Sequence, residues 1–215
     1  VLFRSLDIKL KAAVDSQIER AESLKEKWNY EYATADYEKV LSDPEVDIID
    51  ITLPPFLHLP FAYKAMEAGK HVICDKPLTG YFGDETDEKP VGDKVSKAKM
   101  YERILKDLKE AKEKIGNSDK LFMYAENYIY SPAIVKAAEI LRKKKSRVIY
   151  MNAECSVHGS TSPLSKDWSL VGGGSIMRLG SHPIAGVLYL KQVESEIRGY
   201  KIKPVSVVAD TGRIV

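Results

Sequence analysis

The feature that most constrains this chain is the stretch Val46–Thr79, VDIIDITLPPFLHLPFAYKAMEAGKHVICDKPLT, which reads as strand, loop, helix and strand. Asp47–Leu53 is short and rich in isoleucine, the composition of a strand covered on both faces. Pro54-Pro55 ends it, and Pro60 sits where the first turn of a helix tolerates proline. Leu59, Ala62, Ala65 and Met66 recur at helical spacing, with Gly69 as the stop. His71–Cys74 is a second apolar strand, closing on Asp75-Lys76-Pro77. Two parallel strands joined by a helix make a right-handed crossover unit, and in open sheets of this kind a ligand lies beyond the carboxyl ends of the strands. Pro54, Pro55, His58, Asp75 and Lys76 are therefore the first residues placed at a candidate cleft.

The flanking sequence continues the alternation. Asp7–Val14 predicts a strand that closes at Asp15, and Ser16 predicts the N-cap of a helix carrying Ile18, Ala21, Leu24 and Trp28 on one face. A carboxylate in that position is either a simple cap or turn residue or the group that holds the ribose hydroxyls of a dinucleotide. Glu31–Thr34 predicts a short strand and Asp36–Leu41 a short helix. Lys94–Ile115 predicts a long helix striped by Val95, Ala98, Tyr101, Ile104, Leu105, Leu108, Ala111 and Ile115, and Lys120–Ala125 another strand. Between them, Gly80–Asp93 holds three glycines, a proline and a cluster of acids; it is either a surface insertion or a mobile cover over the cleft. This order predicts an α/β fold, a doubly wound parallel sheet over residues 6–126.

A change of character follows near Glu126–Ser131, setting off a second domain over residues 127–215. Pro132 opens a helix, and Arg147–Val157 and Lys203–Ala209 predict strands of a second sheet. Ser160–Val171 is loop-like and holds Trp168. Gly172-Gly173-Gly174 then leads into a helix predicted over Ser175–Leu190, on which Arg178 and His182 are four apart and share a face. Three glycines let a helix start press its backbone against a ligand or a strand.

Composition narrows the class. The net charge of +2 over 215 residues gives no reason to invoke nucleic acid or a membrane as partner. The basic run Arg142–Lys145 reads as a solvated helix terminus matched to the helix dipole rather than a phosphate patch. Two cysteines, Cys74 and Cys155, make neither a disulfide framework nor a metal site, which points to a reducing, cytoplasmic setting. No apolar run approaches membrane-spanning length and no secretory signal is visible. There is no initiator methionine; Val1–Ser5 matches a translated adapter remnant and is set aside from fold reasoning, so the fold is expected to begin in mid-motif.

Together, VDIIDITLPPFLH…AMEAGKHVICDKPL, GGGSIMRLGSHPIAGVLYL and the strand-terminal Asp15 resemble the Gfo/Idh/MocA oxidoreductase family, the relatives of glucose–fructose oxidoreductase and inositol dehydrogenase. The resemblance covers nearly all of Leu6–Val215. It implies an N-terminal Rossmann domain, a C-terminal domain on an open, mostly antiparallel sheet, and hydride transfer between NAD(P) and a hydroxyl carbon of a sugar, polyol or sugar acid. By the same resemblance Lys76 lies near the nicotinamide and the substrate hydroxyl, and His182 contacts that hydroxyl or assists proton transfer. Asp15, Ser16, Leu53, Pro54, Pro55, His58, Asp75 and Lys76 carry over to the cofactor side, and Asn127, Trp168, Arg178 and His182 to the substrate side. A homo-oligomer is expected of the full-length protein.

The residues depart from the family pattern in two places. The glycine-rich fingerprint G-x-G-x-x-G and the first strand are absent, and the sheet after residue 203 looks short, so the chain reads as a fragment. Arg178 stands where most members have an aspartate; a cation there either grips an anionic substrate such as a uronic or keto acid or marks a divergent subgroup. Asp15 favours NAD over NADP because a carboxylate repels a 2′-phosphate, and Arg20, one turn on, blunts that preference. The competing expectation is a non-catalytic relative that keeps the Rossmann scaffold as a ligand-binding or regulatory module.

Overall fold

The computed structural model describes residues 8–83, 97–158, 165 and 167–209. The chain divides into two compact units, Val1–Ala125 with Ser162–Gly174, and Glu126–Thr161 with Ser175–Val215. A single cut does not capture this division, because the chain returns to the first unit for 162–174.

In the first unit every predicted element between residues 12 and 125 forms. The strands are β1 (Ala12–Val14), β2 (Tyr32–Thr34), β3 (Ile48–Ile51), β4 (His71–Cys74) and β5 (Phe122–Tyr124); the helices are α1 (Ile18–Trp28), α2 (Tyr37–Ser42), α3 (His58–Glu67) and α4 (Lys97–Gly116). All pairing is parallel. β1 joins β2 with Ala13 opposite Ala33, and β4 lies between β3 and β5 with Val72 opposite Ile49 and Phe122. Two ladders result, β1–β2 and β3–β4–β5. In a doubly wound sheet of order 3-2-1-4-5-6 the join between such ladders is the place of the first strand.

One apolar core unites the ladders. Val40, Leu41, Val46, Ile49, Ile51, Ala62, Ala65, Met66, Val72 and Cys74 form it, with Ala12, Val14 and Tyr32 packed against it. The helix stripe read from the sequence is what α3 buries: Leu59, Ala62, Ala65 and Met66. Gly69 follows at φ +77°, a conformation that costs other residues a steric penalty. The predicted Ser16 cap is not made. The residue preceding α1 is Gln17, whose side chain does not cap; Asp15 instead accepts from the Gln17 N–H at 2.9 Å. The insertion lies outside the described residues from 84 to 93.

The second unit is helical. It contains α5 (Pro132–Lys144) and α7 (Ser181–Arg198), while the short α6 (Trp168–Val171) belongs to the first unit. The strands expected at 147–157 and 203–209 are a correction: among the described residues neither segment pairs with another strand, and no antiparallel sheet forms. A strand needs a neighbour to take its backbone hydrogen bonds. Ile149 is 93 % exposed and Val205 100 % exposed, so the alternation that suggested burial has nothing to bury against. The segment after α5 is held instead by α7. Buried Glu194 accepts the Val148 N–H at 3.2 Å, and Lys191 Nζ lies 2.6 Å from the same carboxylate oxygen.

Among the described residues no helix is long and apolar enough to cross a membrane, and no three His, Cys, Asp or Glu side chains gather to hold a metal. Cys74 and Cys155 are both free.

Candidate functional site

On the first unit the candidate residues stand at the carboxyl ends of parallel strands. Asp15 follows β1, half-buried, and its N–H faces the Thr34 carbonyl at the end of β2 at 3.4 Å. The Gln17 N–H occupies one oxygen of the Asp15 carboxylate, and among the described residues no hydrogen bond to the other is made. Ser16 beside it is exposed.

Leu53, Pro54 and Pro55 follow β3 and are half-buried, with Pro55–Leu57 forming a 3-10 turn into α3. Asp75 and Lys76 follow β4. Asp75 is exposed, and its carboxylate accepts the Lys76 backbone N–H at 2.8 Å, fixing the turn that presents the lysine. The Lys76–Pro77 bond is cis.

His58 has a different place from the one the motif suggested. It is 1 % exposed; Nδ1 lies 2.8 Å from the Pro77 carbonyl and Nε2 2.7 Å from the Leu53 carbonyl. Both partners are acceptors, so a neutral ring donates to one of them and a doubly protonated ring to both. Neither nitrogen is left for a ligand. His58 is a staple between the ends of β3 and β4, holding the two turns that follow them in register.

The glycine triplet also has a job within the fold. Gly172, Gly173 and Gly174 all have positive φ. The Gly172 carbonyl accepts the Tyr81 N–H at 2.8 Å, and a Cβ on Gly80 would come within 2.6 Å of that carbonyl oxygen. The triplet therefore clasps the segment that leaves β4 past Lys76 and runs on directly into the helical turns after it. Trp168 begins α6; its side chain lies outside the described residues.

In the second unit, His182 is the second residue of α7. Its Nδ1 lies 2.6 Å from Glu126 Oε1, and its ring faces Tyr128 with centroids 5.6 Å apart. Asn127 is exposed on the 3-10 turn Asn127–Tyr130, which Glu126 caps by accepting the Tyr128 N–H at 3.1 Å. Arg178 is half-buried in a π-helical turn, Ile176–Gly180, that runs directly into α7. Such turns occur disproportionately at functional sites. Sequence reasoning predicted one helix there and missed both the π turn and Glu126. Glu126 was visible only as a polar residue at a domain change, since nothing in local spacing links it to a histidine 56 positions on.

Electrostatics at the strand ends favour neutral or cationic neighbours. Desolvation, then the charge of Asp75, pushes the Asp50 carboxyl on β3 above the usual carboxylate range. Burial, then Asp75 and Asp50, pushes the Cys74 thiol up to about 12, so it is no nucleophile at neutral pH.

Comparison with known proteins agrees with this geometry. Residues 2–87 match the family model described as oxidoreductase family, NAD-binding Rossmann fold. Levoglucosan dehydrogenase of Pseudarthrobacter phenanthrenivorans is 28 % identical over 186 residues, 84 % of this chain and 42 % of the relative. D-glucoside 3-dehydrogenase of Escherichia coli is 24 % identical over 187 residues, 86 % of this chain and 47 % of the relative. The solved levoglucosan dehydrogenase in complex with NADH and levoglucosan superposes with a TM-score of 0.65 at 23 % identity, over 85 % of this chain and 44 % of that one, and so shares the fold. The chain spans less than half the length of these relatives. Over residues 2–87 the chain thus matches the Gfo/Idh/MocA oxidoreductase family model and its NAD-binding Rossmann fold.

Proposed function

We propose that this chain is part of an NAD-dependent oxidoreductase that moves a hydride between a nicotinamide cofactor and a hydroxyl carbon of a sugar or polyol. The observation that supports this most is the His182–Glu126 pair on a helix start in a chain similar, over most of its length, to two sugar dehydrogenases. An imidazole held by a carboxylate is a proton acceptor for an alcohol.

The first unit suits the cofactor. A half-buried Asp15 with one carboxylate oxygen to spare fits a pair of ribose hydroxyls and disfavours a 2′-phosphate. Exposed Arg20 on α1 moderates that selection. Leu53, Pro54, Pro55 and Asp75 would line the cofactor, and Lys76 would stand toward the nicotinamide end. The nicotinamide supplies the acceptor for the hydride. His182 takes the hydroxyl proton as the carbonyl forms, and Lys76 is assigned a charge-stabilising role on the cofactor side. Asn127, Trp168 and Arg178 are assigned to substrate. A guanidinium at position 178 suits a sugar acid, so uronic acids belong among the test substrates.

The test uses the full-length protein with NAD and a panel of anhydrosugars, glucosides, polyols and uronic acids, read at the reduced-nicotinamide absorbance band. Turnover of at least one compound is expected, and Lys76→Ala and His182→Ala should each reduce it by about a hundredfold or more. NAD binding without turnover across the panel would favour the non-catalytic alternative. Full activity in Lys76→Ala would remove that residue from the mechanism.

A further inference from the structure

We infer that Glu126 is the positioning residue for His182: its carboxylate fixes the imidazole ring and holds the proton on Nδ1, leaving Nε2 as the basic nitrogen. The catalytic consequence rests on the function proposed above; the structural claim does not.

Glu126 is 5 % exposed, and a carboxylate that deep must be well partnered to stay charged. Its Oε1 accepts twice, from the Tyr128 N–H at 3.1 Å and from His182 Nδ1 at 2.6 Å. An ionised carboxylate only accepts, so the proton shared with His182 sits on Nδ1, which defines the tautomer. Among the described residues no group bonds Nε2. Oε2 of Glu126 is buried, with no partner among the described residues, so the His182 contact carries much of the burden of satisfying this carboxylate.

The ring is also held sterically. Gly186, one turn further along α7, is buried, and a Cβ there would lie 3.4 Å from Ile134 Cδ1 and 3.6 Å from Tyr128 Cδ1. Its small size lets α7 settle onto α5 and the Tyr128 ring, which in turn faces the imidazole. Glu126 and Tyr128 approach His182 from one short turn of chain, so the ring cannot swing without losing both.

This arrangement explains how the chain manages without an acidic residue at position 178. The carboxylate that orients the histidine comes from a different segment, and position 178 is released to carry a cation.

One oxygen, Oε1, takes both contacts, so a glutamine could keep them both; Glu126→Leu removes them, and a released neutral imidazole favours the proton on Nε2. The protein has four histidines, at 58, 71, 158 and 182, so ¹⁵N-labelled imidazole spectra can be assigned with His182→Ala. At a pH where the ring is neutral, the parent protein should show His182 protonated on Nδ1, and Glu126→Leu should show it protonated mainly on Nε2. In the same protein kcat should fall about a hundredfold with KM changed less than threefold, and Glu126→Asp should recover part of it. The melting temperature of each variant, staying within a few degrees of the parent, confirms that the fold is kept. An unchanged His182 tautomer in Glu126→Leu would overturn the inference. A switched tautomer in a protein that turns over no sugar, polyol or sugar acid would leave it standing and refute the proposed function instead.

Discussion

Replacing His58 with leucine tests whether the two strand ends are held by hydrogen bonding or merely by packing. The imidazole is fully buried and spans the Leu53 and Pro77 carbonyls at 2.7 and 2.8 Å. Leucine fills a similar space and donates nothing. A neutral ring donates to one of the two carbonyls, and leaving that one without its partner in a buried setting costs about 2 kcal/mol. The greater apolar character of leucine offsets about 1 kcal/mol of that. The net expectation is a loss of about 1 kcal/mol, read as the shift in midpoint of urea unfolding followed by circular dichroism, with the slope unchanged. Because Pro77 adjoins Lys76, the loosened turn should also weaken NAD binding several-fold, measured calorimetrically in native buffer. A stability change below about 0.5 kcal/mol would show that the carbonyls find other partners and that the imidazole is not a staple.

Gly172→Ala should destabilise the first unit by about 2 kcal/mol in urea melts, because a Cβ there runs into the Phe82 ring and φ is +74°. Adding Phe82→Ala should relieve the collision and leave the backbone penalty of about 1 kcal/mol. Hydrogen bonding to Lys191 and to the Val148 N–H holds the Glu194 carboxyl below its ordinary range. The resulting stabilisation is full above the unfolded value of about 4.3 and is lost as pH falls through the lowered folded value, so Glu194→Gln should flatten the acid limb of a melting-temperature profile below about pH 5. Cys74, buried and with its thiol pushed up to about 12, should resist a thiol reagent at pH 8 until the protein is unfolded, while half-buried Cys155 reacts first. Two equally fast thiols would contradict that burial.

Much of the fold was legible because it is written locally. The isoleucines of β3, the Leu59–Ala62–Ala65–Met66 stripe of α3 and the Gly69 stop each report on their own neighbours in sequence, and each forms as read. Arg147–Val157 and Lys203–Ala209 show the limit of the same method. Their apolar residues have strand-like spacing, but a strand is a relation between two segments, and neither finds a partner among the described residues. In the candidate site, Lys76 and His182 could be named from short motifs. The staple role of His58 depends on the Pro77 carbonyl 19 residues away, and Glu126 depends on a histidine 56 residues away. No periodicity in the sequence encodes either distance.

The sequence by itself determined that the first unit would be parallel α/β, with Asp15, Pro54 and Lys76 at strand ends, because hydrophobic periodicity and proline or glycine stops act over a few residues at a time. Only the tertiary structure decided which side chains would meet within each unit. It brought Glu126 onto His182, buried His58 between two carbonyls and pressed Gly172 against Gly80. Those outcomes follow from chain segments packing at close range, where a hydrogen bond or an added methyl is settled within an ångström.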